Sequence, residues 1–350
     1  MNFHKFAKYK IIILLGTFFF SSVFAKNLRI NGAGATFPYP LYAKWAQIYH
    51  QQSGIQLNYQ AIGSGGGIKQ IQAKTVDFGA TDKPLTSAEL KSYGLVQFPT
   101  ILGAVVPIVN IPELKTAQLK LSGEILAHIY LGKIKKWNDP LIQKLNPDIH
   151  LPNQAITVVH RSDGSGTTFL FTHYLNQVSS LWKNQVGSDA AIDWPTGIGG
   201  KGNEGVSAFV QRIKGSIGYV EYSYSKQGNL ITVLLQNKSG YFVAPSLETF
   251  EAAASHADWK NTPNFAEILT NEDGDKSWPI LGASFVLLHT IQKNPVQGIG
   301  VLSFFNWAYH HGKAVALQLD YIPLSNDLVK LIEDSWRTQI KDPSGKAIWK

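Results

Sequence analysis

Two apolar, β-branched stretches at 98–111 and 280–289 are the strongest strand signals in this chain, and they lie far apart in it. The sequence has no single linker that splits it in two, no internal repeat and no low-complexity tract. A chain that leaves one folded unit along one strand and returns along another would carry such a pair. Around these two stretches strand and helix signals alternate, the pattern of an α/β protein. Short strands are expected at 28–30, 55–60, 76–80, 156–160, 217–220 and 231–235. Helices are expected at 41–51, 68–74, 168–177, 298–310 and 325–340, with Ser325 as the cap of the last. Thr86 and Glu89 have the spacing of a capping box and open one more helix. With 44% hydrophobic and 16% charged residues, the chain can fill real cores, which excludes a disordered polypeptide.

The N-terminus reads as an export signal. Lys5, Lys8 and Lys10 precede the apolar run 11–20, and Val23-Phe24-Ala25 supplies a cleavage junction near Ala25. The run is half the roughly 20 residues that a bilayer crossing needs. No later segment is long and apolar enough to span a membrane. Loss of residues 1–25 leaves 325 residues, removes three lysines and no acid, and lowers the formal charge from +8 to +5. Cysteine is absent. That excludes a disulfide framework, a thiolate zinc site, a cysteine nucleophile and a lipid-bearing cysteine. The expectation is a soluble, unanchored protein of the periplasm.

Three strand-to-helix turns pair glycines with hydroxyl residues, at 33–37, 63–67 and 163–167. Such turns suit anions: the first amides of a helix lack internal acceptors, the macrodipole adds partial positive charge, and glycine permits close approach. Any one of them could be an ordinary helix cap; three in one chain, with Arg161 beside the last, point to a ligand. The named glycine motifs do not fit. Phe37 stands where a dinucleotide fingerprint needs its third glycine, and Lys69 follows Ile68 and precedes Gln70, which is not a P-loop ending. Asp163 and Thr167 occupy the flanking positions that a nucleophile elbow at Ser165 would fill with glycine. Asn271-Glu272-Asp273-Gly274-Asp275 has calcium-loop composition with the wrong spacing, so it reads as a surface turn, and no histidine pattern suggests a metal.

Taken together, Gly32-Ala33-Gly34-Ala35-Thr36-Phe37-Pro38, Gly63-Ser64-Gly65-Gly66-Gly67, Asp77-Phe78-Gly79-Ala80-Thr81-Asp82 and Arg161-Ser162-Asp163-Gly164-Ser165-Gly166-Thr167 resemble the periplasmic phosphate-binding proteins of ABC phosphate transporters, the PstS family. Ile129-Tyr130-Leu131-Gly132-Lys133-Ile134-Lys135-Lys136-Trp137, Gly199-Gly200-Lys201-Gly202-Asn203 and Ile217-Gly218-Tyr219-Val220-Glu221-Tyr222 extend the resemblance over essentially all of the chain after the signal. It implies a type II two-lobed periplasmic binding protein fold. Each lobe would be a mixed sheet flanked by helices, joined by two crossover hinge strands, with lobe one at 26–110 and 284–350 and lobe two at 111–283. It also implies inorganic phosphate as ligand, a membrane ABC permease as partner, a monomer, and neither cofactor nor metal. By matching motif, Thr36, Phe37 (through its backbone amide), Ser64 and Asp82 would contact phosphate from lobe one. Arg161, Ser165, Gly166 and Thr167 would do so from lobe two, with Asp163 holding the arginine. Gly65 and His160 depart from the usual family residues, a second serine and a second arginine; neither position is a primary ligand there.

The chemistry of these residues is coherent with that ligand. A buried dianion is costly to desolvate, and here many neutral donors and one arginine would offset the cost. Asp82 beside an anion makes sense if the ligand carries a proton to donate. Sulfate carries none at neutral pH, so a carboxylate there would reject it. Two rival readings remain in the residues. A periplasmic phosphatase would need a nucleophile with a base or a metal pair, and Ser165 has no histidine in a recognisable relation to it. A surface adhesin or a nucleic-acid binder would draw on basic charge, whose one compact cluster is Lys133-Ile134-Lys135-Lys136-Trp137, the composition of a solvated helix end. No nucleic-acid partner is expected.

Overall fold

The computed structural model describes residues 28–350, so the export-signal reading at 1–25 lies outside the described residues. The strands are β1 (Arg29–Gly34), β2 (Gln56–Ala61), β3 (Phe78–Thr81), β4 (Leu95–Val109), β5 (Lys120–Leu121), β6 (Thr157–Arg161), β7 (Ile198–Gly200), β8 (Ser216–Glu221), β9 (Ile231–Thr232), β10 (Leu234–Gln236), β11 (Phe242–Val243) and β12 (Leu281–His289). The long strand β4 is buried at all of its residues and links the two halves of the sheet. From Leu95 to Ala104 it pairs antiparallel with β12, and from Val105 to Val109 antiparallel with β8. The main sheet runs β2-β1-β3-β12-β4-β8-β6-β7, with β9 also on β4, and a small sheet β11-β10-β5 lies apart.

Where β4 changes partner, the return strand joins it. Val105 N donates to Ile280 O at 2.9 Å, and the Trp278 indole N–H donates to Val105 O at 3.0 Å. Both connections between the halves thus lie side by side. Each half repeats one plan. In the first lobe β1, β2 and β3 are mutually parallel and β12 returns antiparallel to β3; in the second β6, β7 and β8 are parallel and β4 lies antiparallel to β8. The helices Tyr39–Ser53, Pro295–His311 and Asn326–Gln339 cover the first lobe, where Trp45, Phe78, Phe305 and Trp336 are fully or almost fully buried. Burying such rings contributes roughly 2 kcal/mol or more each.

The glycine turns differ from expectation in a way packing explains. Gly32 and Gly34 belong to β1 itself rather than to a turn after residue 30. A Cβ on Gly32 would lie 2.2 Å from the Phe78 ring, and Gly34 holds a φ of 146° with Ala80 O 2.0 Å from where its Cβ would be. Only glycine fits the second position. The helix expected from residue 68 begins at Ser64, because Gly67 lets it press onto the β1 backbone; a Cβ there would stand 2.5 Å from Gly34 Cα. The strand expected at 231–235 is interrupted at Val233, between β9 and β10. Thr86 and Glu89 form the capping box, and Ser325 caps its helix by accepting from Leu328 N. In the basic cluster, which follows the helix Gly123–Tyr130, Ile134 and Trp137 are buried and the three lysines are exposed. No helix among the described residues is long and apolar enough to cross a membrane.

Candidate functional site

The ends of β1, β3, β6 and β8 and the helix starts that follow β2, β6 and β7 meet in one buried cleft between the lobes. The backbones touch there: Gly65 N donates to Gly164 O at 2.9 Å. Gly63, at a φ of 87°, sits where a Cβ would be 2.1 Å from Asp163 Oδ2, so the second glycine turn is cut to fit the third. At the rim, Lys83 of the first lobe and Asp189 of the second form an ion pair at 2.6 Å.

Three hydroxyls in the cleft have their oxygens occupied as acceptors. Thr36 Oγ1 accepts from Asn203 N at 3.2 Å and Asn203 Nδ2 at 2.8 Å. Ser64 Oγ accepts from Asp82 N at 3.2 Å and Gly166 N at 3.0 Å. Thr167 Oγ1 accepts from Arg161 Nη1 at 3.3 Å and Asn203 Nδ2 at 3.4 Å. The Thr36 and Thr167 protons stay free to donate, and that of Ser64 has only a poor contact to Asp82 Oδ2 at 3.5 Å; all three residues are at most 2% exposed. A buried cluster with its lone pairs taken and its protons in hand is built to meet an acceptor. Ser165 caps the helix Gly166–Val178, its Oγ accepting from Thr168 N at 3.0 Å, which places the first amides of that helix at the cleft.

The charge comes from one cation. Arg161 is buried, with Nε donating to Asp163 Oδ1 at 2.8 Å and Nη2 to Asp163 Oδ2 at 2.6 Å. Burial opposes the guanidinium's charge, but the bidentate bonds from Asp163 outweigh it and raise its pKa. Asp163 Oδ1 also accepts from Gly202 N at 3.0 Å; burial works against its charge, yet Arg161 holds its pKa below the usual carboxylate range. Both ends of the guanidinium plane used by Asp163 are fixed, so Nη1 faces Thr167 and the cleft.

Asp82 behaves differently. It is 1% exposed and its Oδ1 has no hydrogen-bond partner. Its Oδ2 has only the Ser64 hydroxyl at 3.5 Å, a poor hydrogen bond. Burial pushes its pKa up to about 7, against a weaker downward pull from Ser284, Arg161 and Ser64. The Ser284 Oγ itself makes no hydrogen bond, so burial dominates. An acceptor atom without a donor, beside three hydroxyl protons and a cation, marks where a protonated anion would fit.

Thr36, Phe37, Ser64, Asp82, Arg161, Asp163, Ser165, Gly166 and Thr167 therefore all fall in this cleft. The sequence reading did not single out Asn203, which ties the lobes by giving Nδ2 to Thr36 and Thr167 while its Oδ1 accepts from Glu221 N at 3.1 Å. Its signal in the sequence is the run Gly199-Gly200-Lys201-Gly202-Asn203. Nor did it single out Tyr224, which donates to Thr36 O at 2.6 Å, or Tyr321, which donates to Phe37 O at 2.6 Å. His160 turns away into the second lobe and stacks on Trp194. A cavity of about 380 Å³ lies outside the cleft, at the far end of β3 and β12, where Asp77 is already satisfied by Asn31 N and Gln297 Nε2. Among the described residues no cluster of His, Asp and Glu could hold a metal ion.

The model of a PBP superfamily domain matches residues 24–310. The phosphate-binding protein PstS of Pasteurella multocida is 54% identical over 339 residues, 97% of this chain and 98% of that one. The chain belongs to the PstS family. The PstS relative from Haemophilus influenzae is 55% identical over 330 residues, 94% of this chain and 98% of its own. A crystal structure of a phosphate-binding protein from Stenotrophomonas maltophilia aligns with a TM-score of 0.66 at 20% identity, over 91% of this chain and 96% of that one, and shows the same fold. The two-lobed α/β architecture, with its curled mixed sheet, is that of this family.

Proposed function

We propose that this chain captures inorganic phosphate in the interlobe cleft and delivers it to a membrane ABC permease for import. One observation carries the reading: the buried Thr36, Ser64 and Thr167 hydroxyls, with acceptor positions filled, surround a fixed guanidinium and a carboxyl whose Oδ1 lacks a donor. Membership of the PstS family supports it. Thr36, the Phe37 amide, Ser64, Arg161, Ser165 and Thr167 donate to the phosphate oxygens, and the Gly166 amide turns from Ser64 Oγ to join them as the ligand enters. Asp82 accepts the proton that phosphate keeps. Asp163 fixes Arg161 and adds little net charge to the site, since the two neutralise each other.

The rest of the reading follows the family. The chain acts in the periplasm as a monomer after removal of residues 1–25, binds no nucleic acid, and catalyses nothing. The change of partner along β4 after Ala104 and the return at Trp278 support two lobes joined by two crossovers, within several residues of bounds at 26–110 with 284–350 and at 111–283, with closure by hinge motion. Calorimetry of residues 26–350 with phosphate and with sulfate tests it. Phosphate is expected to bind at least about 10⁴-fold more tightly than sulfate, the discrimination open to a site that leaves a polar group unpaired against the wrong ligand. Comparable binding of the two anions, or no binding of phosphate, would overturn the reading.

A further inference from the structure

A second buried carboxyl stands behind the cleft. Glu221 ends β8 in the second lobe and is fully buried. Its Oε2 is surrounded by Ser223 N at 3.0 Å, the Ser223 hydroxyl and, from the first lobe, the Tyr321 hydroxyl at 2.8 Å; its Oε1 has no partner. Tyr321 belongs to the first lobe through the bridge of Ile322 to Leu102 in β4. The same Tyr321 hydroxyl lies 2.6 Å from Phe37 O.

Counting protons assigns one to Glu221. A carbonyl oxygen only accepts, so the single Tyr321 proton must lie between Tyr321 and Phe37 O. The Tyr321 oxygen then faces Glu221 Oε2 at hydrogen-bond distance with no proton of its own to offer. The Ser223 hydroxyl and amide both point at that same Oε2 as donors. The Ser223 hydroxyl also lies 3.1 Å from the Tyr321 oxygen but has one proton; with that proton on the closer Oε2, the contact between Tyr321 and Oε2 is left to the carboxyl's own proton. An unpartnered Oε1 agrees with this, because a neutral acid tolerates a lone buried oxygen far better than a carboxylate does.

We infer that Glu221 is a positioning residue that works as a neutral carboxylic acid: it donates to Tyr321, which in turn donates to the Phe37 carbonyl, and so the second lobe holds the first phosphate-binding turn in place. The inference rests on the phosphate reading of the cleft. The titratable groups facing Glu221 are Tyr222 and Tyr224 of the helix that follows it, Tyr321 of the opposite lobe and, through space, Asp82. No cation is among the groups acting on it. Burial raises its pKa to about 8, so the proton stays at neutral pH and leaves above it. Deprotonation would draw the Tyr321 proton to the carboxylate and free the Phe37 peptide to rotate out of line with the ligand.

The test has two arms. Infrared difference spectra of the 26–350 chain should show a protonated carboxyl C=O band at pH 7 that Glu221→Gln removes; this arm reads the proton whether or not the cleft binds phosphate. Phosphate calorimetry from pH 7 to 9.5, corrected at each point for the ligand's own second ionisation at the lower edge of this range, should show the unaltered chain weakening about tenfold through pH 8. Glu221→Ala should lose about tenfold at pH 7. Glu221→Gln, which keeps an N–H for Tyr321, should recover most of that loss and abolish the pH step. Tyr321→Phe, a smaller change that keeps the ring packing, should weaken binding and also abolish the step. Absence of the infrared band, or a pH step that persists in Glu221→Gln and Tyr321→Phe, would overturn the inference.

Discussion

The two lobes bring the same arrangement to the cleft and use it for different ends. In each, the third parallel strand is followed by a buried carboxyl, Asp82 after β3 and Glu221 at the end of β8, beside an antiparallel neighbour, β12 or β4. Burial raises both, to about 7 and about 8. Asp82 looks onto Arg161 and has almost no donor of its own; Glu221 is wrapped by Ser223 and Tyr321 and sees no cation. Topology supplies the buried acid. Its immediate neighbours decide whether it faces the ligand or the other lobe.

Asp82→Asn would break this contrast most sharply. It removes the charge that repels a fully deprotonated anion, so the phosphate-over-sulfate ratio should fall by about 10³-fold out of the roughly 10⁴–10⁵ such sites reach, while phosphate affinity falls only about tenfold. Competition calorimetry measures both, and an unaltered ratio would take discrimination away from Asp82. Next in size is Arg161→Ala. Phosphate affinity should drop about 100-fold through lost charge-assisted bonds. Stability should fall by about 2 kcal/mol, below the range for a fully buried pair because Asp163 keeps some exposure. Titration of phosphate together with urea unfolding checks the two effects, and binding at the native level would remove Arg161 from the site.

The pH dependence of stability sharpens the comparison further. Both acids are raised in the folded chain, so between the ordinary carboxylate range and the folded values the native state holds more protons than the unfolded one. Stability therefore falls as pH rises through that window and levels off above about 8. Glu221→Gln should make the fall between pH 5 and 8 shallower by roughly 1.4 kcal/mol per pH unit, with Asp82 left as the remaining contributor. Urea midpoints at set pH test this; an identical slope in the variant would mean that Glu221 is ionised throughout. The smallest effect is expected from Asn203→Ala. Thr36 and Thr167 lose a shared donor and the Glu221 amide its acceptor, and phosphate affinity should fall about fivefold, the middle of the range for a neutral hydrogen bond. A titration equal to that of the unaltered chain would show that the hydroxyls orient themselves without it.

The α/β alternation, the two strands that join the lobes, the capped helices of Thr86 and Ser325, and the turns that carry the cleft's hydroxyls are all readable from the chain's own order of residues. These are legible because they depend on neighbours in sequence: periodicity, caps, and glycines where the backbone turns. That order did not determine that Gly32 and Gly34 lie inside β1, or that the second helix starts at Ser64, because those positions answer to Phe78, Ala80 and the β1 backbone, which are distant in the chain. Asn203, Tyr321 and Glu221 are the clearest cases. Each looks ordinary in its own segment. Only folding sets Asn203 between Thr36 and Thr167, and Tyr321 between Phe37 and Glu221, since proton placement at a buried oxygen depends on every donor and acceptor that closure of the lobes brings within reach.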